Sequence, residues 1–190
     1  MEDLSIAPVP FWYLRHGQTD WNVQGLSQGN VDIPLNETGF AQAKQAAVKM
    51  RHRGIVSIVS SPLSRARVTA EIVAEALGVD VILEQDLREV SWGVQEGKPL
   101  AEWFQPWISG QAIPEGAESF SQLRRRAVSG LNRAVGQPPV VLVVAHGGVF
   151  RALRSAMNIE YHGRTRNCVP IWCEPHPEAH GKWTVAVHDE

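Results

Sequence analysis

The stretch that decides the fold is Val140-Val141-Leu142-Val143-Val144-Ala145-His146-Gly147-Gly148. Its first six residues are apolar without a break. Side chains of a strand alternate between faces, so a strand apolar on both faces is covered on both, as in the middle of a parallel sheet. The two glycines follow at once and open a helix. A strand running directly into a helix is half of a βαβ unit, and it predicts an α/β chain with a mainly parallel central sheet and helices on both sides, a three-layer α/β/α sandwich.

Outward from that stretch, further strands are predicted at residues 9–14, 56–59 and 81–83, with edge-side strands at 169–173 and 183–188. Asn36 can cap a helix with Phe40, Ala43 and Ala47 on one face. Ser61-Pro62 has the form of an N-cap followed by proline at the first helical position. Gly78 ends that helix, whose inner face would be Ala66, Ala70, Val73 and Leu77. Ser119 with Gln122 forms a capping-box pattern ahead of Phe120, Leu123, Ala127 and Leu131. Residues 17–35 form a long loop holding Gly25, Gly29 and Pro34, the kind of loop that often carries function. Trp21 reads as its packing anchor. Residues 92–116, rich in Gly, Pro and Trp, form a small helical or loop insert. Its Trp103, Phe104 and Trp107 are either the core of that insert or a lid over a substrate.

At 190 residues and 44% hydrophobic composition, residues 1–190 suit one domain with a sizeable core. The net charge of −2 provides no global attraction for nucleic acid or an anionic membrane, so a phosphate would have to be held by local cations. No run is long and apolar enough to span a bilayer, and the acidic, proline-interrupted N-terminus does not resemble a secretory signal. Cys168 and Cys173, five positions apart, would face opposite sides of a strand and not form a disulfide. So few cysteines fit a cytoplasmic location.

Three strand ends carry reactive side chains: Arg15-His16-Gly17, Ser60-Ser61-Pro62-Leu63-Ser64-Arg65 and His146-Gly147-Gly148. Ligands of open α/β sheets bind beyond the carboxyl ends of the strands, so two histidines and two arginines converge on one rim. Arginine forks match the oxygens of a phosphoryl group, a neutral imidazole can attack phosphorus, and a second histidine, protonated by its proximity to the anion, can donate to the transferring group. Glu89, after the third strand, can protonate a leaving alkoxide and later activate water, because a carboxyl group beside a bound phosphate tends to keep its proton. Glu96 is the alternative for that role. No Gly-x-x-x-x-Gly-Lys-Ser/Thr, Gly-x-Ser-x-Gly or His-Glu-x-x-His occurs, and neither cysteine has an arginine at phosphate-loop distance. Arg124-Arg125-Arg126 reads as a solvated helix face, with the alternative that one of them points toward an acidic substrate, and His176-Pro177-Glu178-Ala179-His180 as a loop, since its prolines oppose the helix that a His-x-x-x-His metal pair needs.

In their order, Arg15-His16-Gly17-Gln18-Thr19-Asp20-Trp21-Asn22, Gln28-Gly29, Asp32-Ile33-Pro34-Leu35, Ser60 to Ala66, Leu87-Arg88-Glu89 and Ala145-His146-Gly147-Gly148 resemble the motifs of the histidine phosphatase superfamily, the phosphoglycerate mutase-like family. The resemblance covers about residues 11–150. It implies that His16 is the nucleophile and that Arg15, Arg65 and His146 form the phosphate pocket with Gly147. It also implies that Glu89 is the proton donor and acceptor, and that Asn22 and Gln28 contact phosphate or its waters. It implies a small phosphorylated metabolite as substrate, with no metal and no cofactor. The chain departs from the family at Gln18, where many members have glutamate. It also lacks the tryptophan often seen before the Glu96-Gly97 pair. The short length between the third and fourth motifs resembles the phosphatase branch. The alternatives are a mutase that returns the phosphoryl group to its substrate, and a non-catalytic phosphate-binding module.

Overall fold

A computed structural model describes residues 5–159, 163–179 and 181–189. The strands are β1 (Phe11–Arg15), β2 (Ser57–Ser60), β3 (Val81–Leu83), β4 (Val141–Ala145), β5 (Ile171–Pro175) and β6 (Trp183–Val187). The helices are α1 (Asp20–Val23), α2 (Glu37–Met50), α3 (Ser64–Leu77), α4 (Phe104–Ser109), α5 (Phe120–Val135) and α6 (Gly147–Ala156). The six strands form one sheet in the order β3-β2-β4-β1-β5-β6. From β3 to β1 the pairing is parallel; β5 and β6 are antiparallel additions at one side.

Period-two alternation builds both cores. Phe11 and Tyr13 of β1, with Val141, Val143 and Ala145 of β4, pack against Leu123, Leu131, Phe150 and Leu153 of α5 and α6. Trp12, Leu14, Leu142 and Val144 point the other way, onto Ala43, Met50, Ala66, Ala70 and Val73 of α2 and α3. Cys168 belongs to the second core and Cys173 to the first, and both thiols are free.

Three local expectations change. The α2 face turned to the sheet is Gly39, Ala43, Ala46, Ala47 and Met50, while Phe40 is exposed. Ala46 and Met50 extend the same 3.6-residue stripe, and Phe40 falls at its margin. The helix after β2 begins at Ser64 with Leu63 as N-cap, not at Ser61. The Ser61 hydroxyl is engaged elsewhere, and the carboxylate of Asp32 accepts the Ser64 N–H at 2.7 Å instead. Arg126 is not solvated. It forms a two-bonded pair with Glu118 at 2.7 Å and donates to the carbonyls of Asp86, Arg88 and Glu89. His176 lies just past β5 and His180 lies outside the described residues. Among the described residues, no helix is long and apolar enough to cross a membrane.

Candidate active site

Register brings the site together. Arg15 of β1 is opposite Ala145 of β4, and Ser60 of β2 is opposite Val144. The next residues, His16, His146 and Ser61, therefore emerge side by side at the carboxyl rim of the sheet. The His16 N–H donates to the Ala145 carbonyl at 3.0 Å, which continues the ladder one step. The two imidazole rings lie 5.2 Å apart between centroids, and both are buried.

Close backbone approaches hold this rim. A Cβ on Gly17 would meet the Gly39 carbonyl oxygen at 2.5 Å, and one on Gly39 would meet the Gln18 carbonyl oxygen at 2.1 Å. Only two glycines allow the start of α2 to pack on the loop after His16. The Gly17 N–H donates to Thr69 Oγ1, whose hydroxyl donates to the Arg65 carbonyl, tying the loop to α3.

The His16 ring donates from Nδ1 to the Gly17 carbonyl at 2.7 Å. A neutral imidazole with its proton on Nδ1 carries its lone pair on Nε2. Burial, then the charges of Arg15 and Arg65, push the His16 pKa well below the usual value, so this neutral form is strongly favoured. Burial and the charges of Arg65, His16 and Arg15 do the same to His146. His146 Nε2 lies 2.8 Å from Ser61 Oγ. Tyr13 grips the His146 backbone twice, donating from its hydroxyl to the carbonyl at 2.8 Å and accepting the N–H at 3.1 Å.

Both arginines are buried and cationic. Arg65 gives one terminal nitrogen to the Gly29 carbonyl and the other to the Val31 carbonyl, and burial lowers its pKa to about 10. Arg15 donates to the Thr165 carbonyl at 2.8 Å. Arg15 Nε, Arg65 Nε and His146 Nδ1 are buried without a hydrogen-bond partner. A buried polar group left unpaired costs roughly 1–3 kcal/mol. Three such groups in one place, two of them on cations, fit an anion that accepts from all of them.

A cavity of about 640 Å³ opens on this cup. Arg15, His16, Asn22, Gln28, Arg65, Glu89, Gly147 and Gly148 all line it, as do Trp21, Trp92, Phe104 and Trp107. Trp21 is therefore more than a packing anchor. The Asn22 carbamoyl oxygen accepts from Thr19 and Asn167, and that of Gln28 accepts from Thr19, so each offers the cavity its NH2 group. Glu89 Oε2 accepts the Gly148 N–H at 3.0 Å and Oε1 accepts the Val90 N–H at 3.0 Å, so the carboxylate sits at the α6 N-terminus. Glu96 is instead tied to the backbone N–H groups of Asn30 and Trp92 and does not line the cavity. Phe104 meets Trp92 at a tilt and Trp107 meets it edge-on, and both line the cavity, while Trp103 packs behind them.

Sequence reasoning did not find the supporting groups. Tyr13, Ser61, Arg126 and Asn167, which donates to the His16 carbonyl at 2.8 Å, act across long sequence separations that no local pattern marks.

The family model of the histidine phosphatase superfamily (branch 1) matches residues 11–169. A probable phosphoglycerate mutase of Yersinia pestis (strain Pestoides F) is 35% identical over 174 residues, covering 83% of this chain and 80% of that protein. A mycobacterial glucosyl-3-phosphoglycerate phosphatase, solved in complex with VO3, superimposes with a TM-score of 0.78 at 28% identity, over 93% of this chain and 97% of that one. A mutant phosphoserine phosphatase from Entamoeba histolytica, solved with phosphoserine, shares the fold, with a TM-score of 0.79 at 23% identity over 95% and 96% of the two chains.

Proposed function

The chain belongs to the histidine phosphatase superfamily, and on that premise we propose that it hydrolyses a small phosphomonoester through a phosphohistidine on His16. The observation that carries this reading is the hydrogen bond from His16 Nδ1 to the Gly17 carbonyl. It leaves the Nε2 lone pair beside the unpaired guanidinium donors of Arg15 and Arg65.

In the first step Nε2 attacks phosphorus, the bond from phosphorus to the ester oxygen breaks, and Glu89 gives its proton to the leaving alkoxide. Arg15, Arg65, His146, Asn22, Gln28 and the backbone at Gly147 stabilise the charge on the equatorial oxygens. In the second step the Glu89 carboxylate takes a proton from water, whose oxygen attacks phosphorus. The bond from nitrogen to phosphorus breaks, and inorganic phosphate leaves with His16 restored. The arginines supply the charge that a metal would otherwise supply, so turnover should persist in EDTA. The phosphatase relative and its VO3 complex support hydrolysis.

The test is acid-labile phosphate on the protein during turnover of a phosphomonoester. Label on the wild type and none on His16→Ala is expected. Equal label on both, or none on either, would leave a phosphate-binding module in its place. The 35% identity to a probable phosphoglycerate mutase favours one other reading, phosphoryl return to the substrate. With 3-phosphoglycerate, hydrolysis releases free phosphate and mutase action yields an isomer.

A further inference from the structure

The cavity carries more positive charge than one phosphoryl group neutralises. Among the described residues, five arginines line it, Arg15, Arg65, Arg151, Arg154 and Arg164, against a single carboxylate, Glu89. Arg15 and Arg65 supply two positive charges beside His16, which balance a phosphoryl dianion. Beyond these two, Arg154 packs over Phe150, Arg151 lies on α6 and Arg164 lies on the segment leading to Thr165.

Arg151 is the most informative of these. Five residues after His146, on the same helix, it holds its guanidinium over the Phe104 ring at 5.2 Å from the centroid. Stacking on an aromatic face fixes the direction of an arginine fork without using its N–H donors. Desolvation lowers the Arg151 pKa, and Glu89 is the charge that opposes this shift. Among the described residues, neither Arg151 nor Arg164 has a hydrogen-bonded or ion-paired side-chain partner. Arg67, Arg133 and Arg166 are held by Glu71, Glu84 and Asp189, away from the cavity. Arg151 and Arg164 lie on the cavity wall, where their N–H donors are available to a bound molecule.

We infer that Arg151, stacked on Phe104 and assisted by Arg164, forms a second anion subsite, so that the preferred substrate is a phosphomonoester whose alcohol portion bears its own negative charge. This inference rests on the phosphatase reading. The charge is a carboxylate or a second phosphate, and both accept a guanidinium fork.

The experiment compares ester pairs that differ by that one anion: 3-phosphoglycerate with glycerol 3-phosphate, and fructose 1,6-bisphosphate with fructose 6-phosphate. Wild type is expected to favour the charged member of one pair by about 10-fold or more in kcat/KM, and the pair that shows it names the anion. Arg151→Gln should collapse that ratio towards one while turnover of the uncharged ester stays within about 3-fold. Arg151→Lys should keep part of the preference. Equal kcat/KM within both pairs for wild type, or the same loss on charged and uncharged esters in Arg151→Gln, would overturn the subsite. The same pairs are titrated against His16→Ala with and without Arg151→Gln, following tryptophan fluorescence. If wild type turns over no ester, the hydrolytic reading fails by itself. The subsite still stands on a binding preference removed by Arg151→Gln, and falls if affinities within each pair are equal.

Discussion

Ser61 Oγ lies 2.8 Å from Nε2 of His146, and Nδ1 of the same ring is buried with no partner. The Ser61 oxygen also accepts the Leu63 N–H at 3.3 Å, and we assign its hydroxyl proton to the imidazole. A neutral ring that accepts at Nε2 must carry its proton on Nδ1. His146 thus presents an N–H donor without being protonated, in keeping with its depressed pKa.

Removing that hydroxyl releases the tautomer. Ser61→Ala should lower kcat/KM by roughly 10-fold, the size of one lost buried hydrogen bond at a reacting centre. Nitrogen NMR checks it: His146 is expected as the Nδ1–H tautomer in wild type and as a mixture in Ser61→Ala. A pure Nε2–H ring in wild type would contradict the assignment.

The depressed histidines make both rate and stability depend on pH. His16 stays neutral below its ordinary range, so the acid limb of kcat/KM should fall below about pH 6.5. In the unfolded chain the same rings take protons near pH 6.5, so between the folded and unfolded pKa values the unfolded state binds more protons. Stability therefore rises with pH in that window and is lost as pH drops below about 6.5. On acidification the wild-type denaturant midpoint should fall further than that of His16→Gln, because the variant lacks one of these groups. Orthovanadate, an anion for the cup, should raise the wild-type midpoint.

Gly148 leaves room for the proton carrier. A Cβ there would lie 2.4 Å from Glu89 Oε1 and 3.1 Å from its carboxyl carbon. Gly148→Ala must displace that carboxylate, and an error of about 1 Å at a reacting group can cost on the order of 100-fold in kcat. Alanine also suits the first turn of α6, so the melting temperature should hardly change. Steady-state kinetics with a thermal melt separates the two effects.

Arg126 is a positioning residue for Glu89. It joins Glu118 to the carbonyls of Asp86, Arg88 and Glu89, the turn that carries the carboxylate into the cavity. Arg126→Gln should cost about 2–4 kcal/mol of stability, because Glu118 and these carbonyls lose their donor. At a temperature where the variant is folded, kcat should fall more than KM rises. Loss in KM alone would place its effect elsewhere.

Layers and rim were legible in the chain before any coordinates. The apolar run at residues 140–145, the cap at Asn36, the capping box at Ser119 and the glycine after Leu77 each depend on neighbours within about four residues, and local periodicity records them. His16, Arg65 and His146 could be read because the chain places them just past strand ends. Which groups support them emerged only from the folded arrangement. Ser61 meets His146 across 85 residues, Tyr13 grips it across 133, and Arg126 reaches Glu89 across 37. Folding also separated Glu89 from Glu96, seven positions apart, by turning one into the cavity and the other onto backbone N–H groups. Such partnerships arise from strand register and helix packing, which bring distant side chains within hydrogen-bond reach and leave no mark in the spacing along the chain.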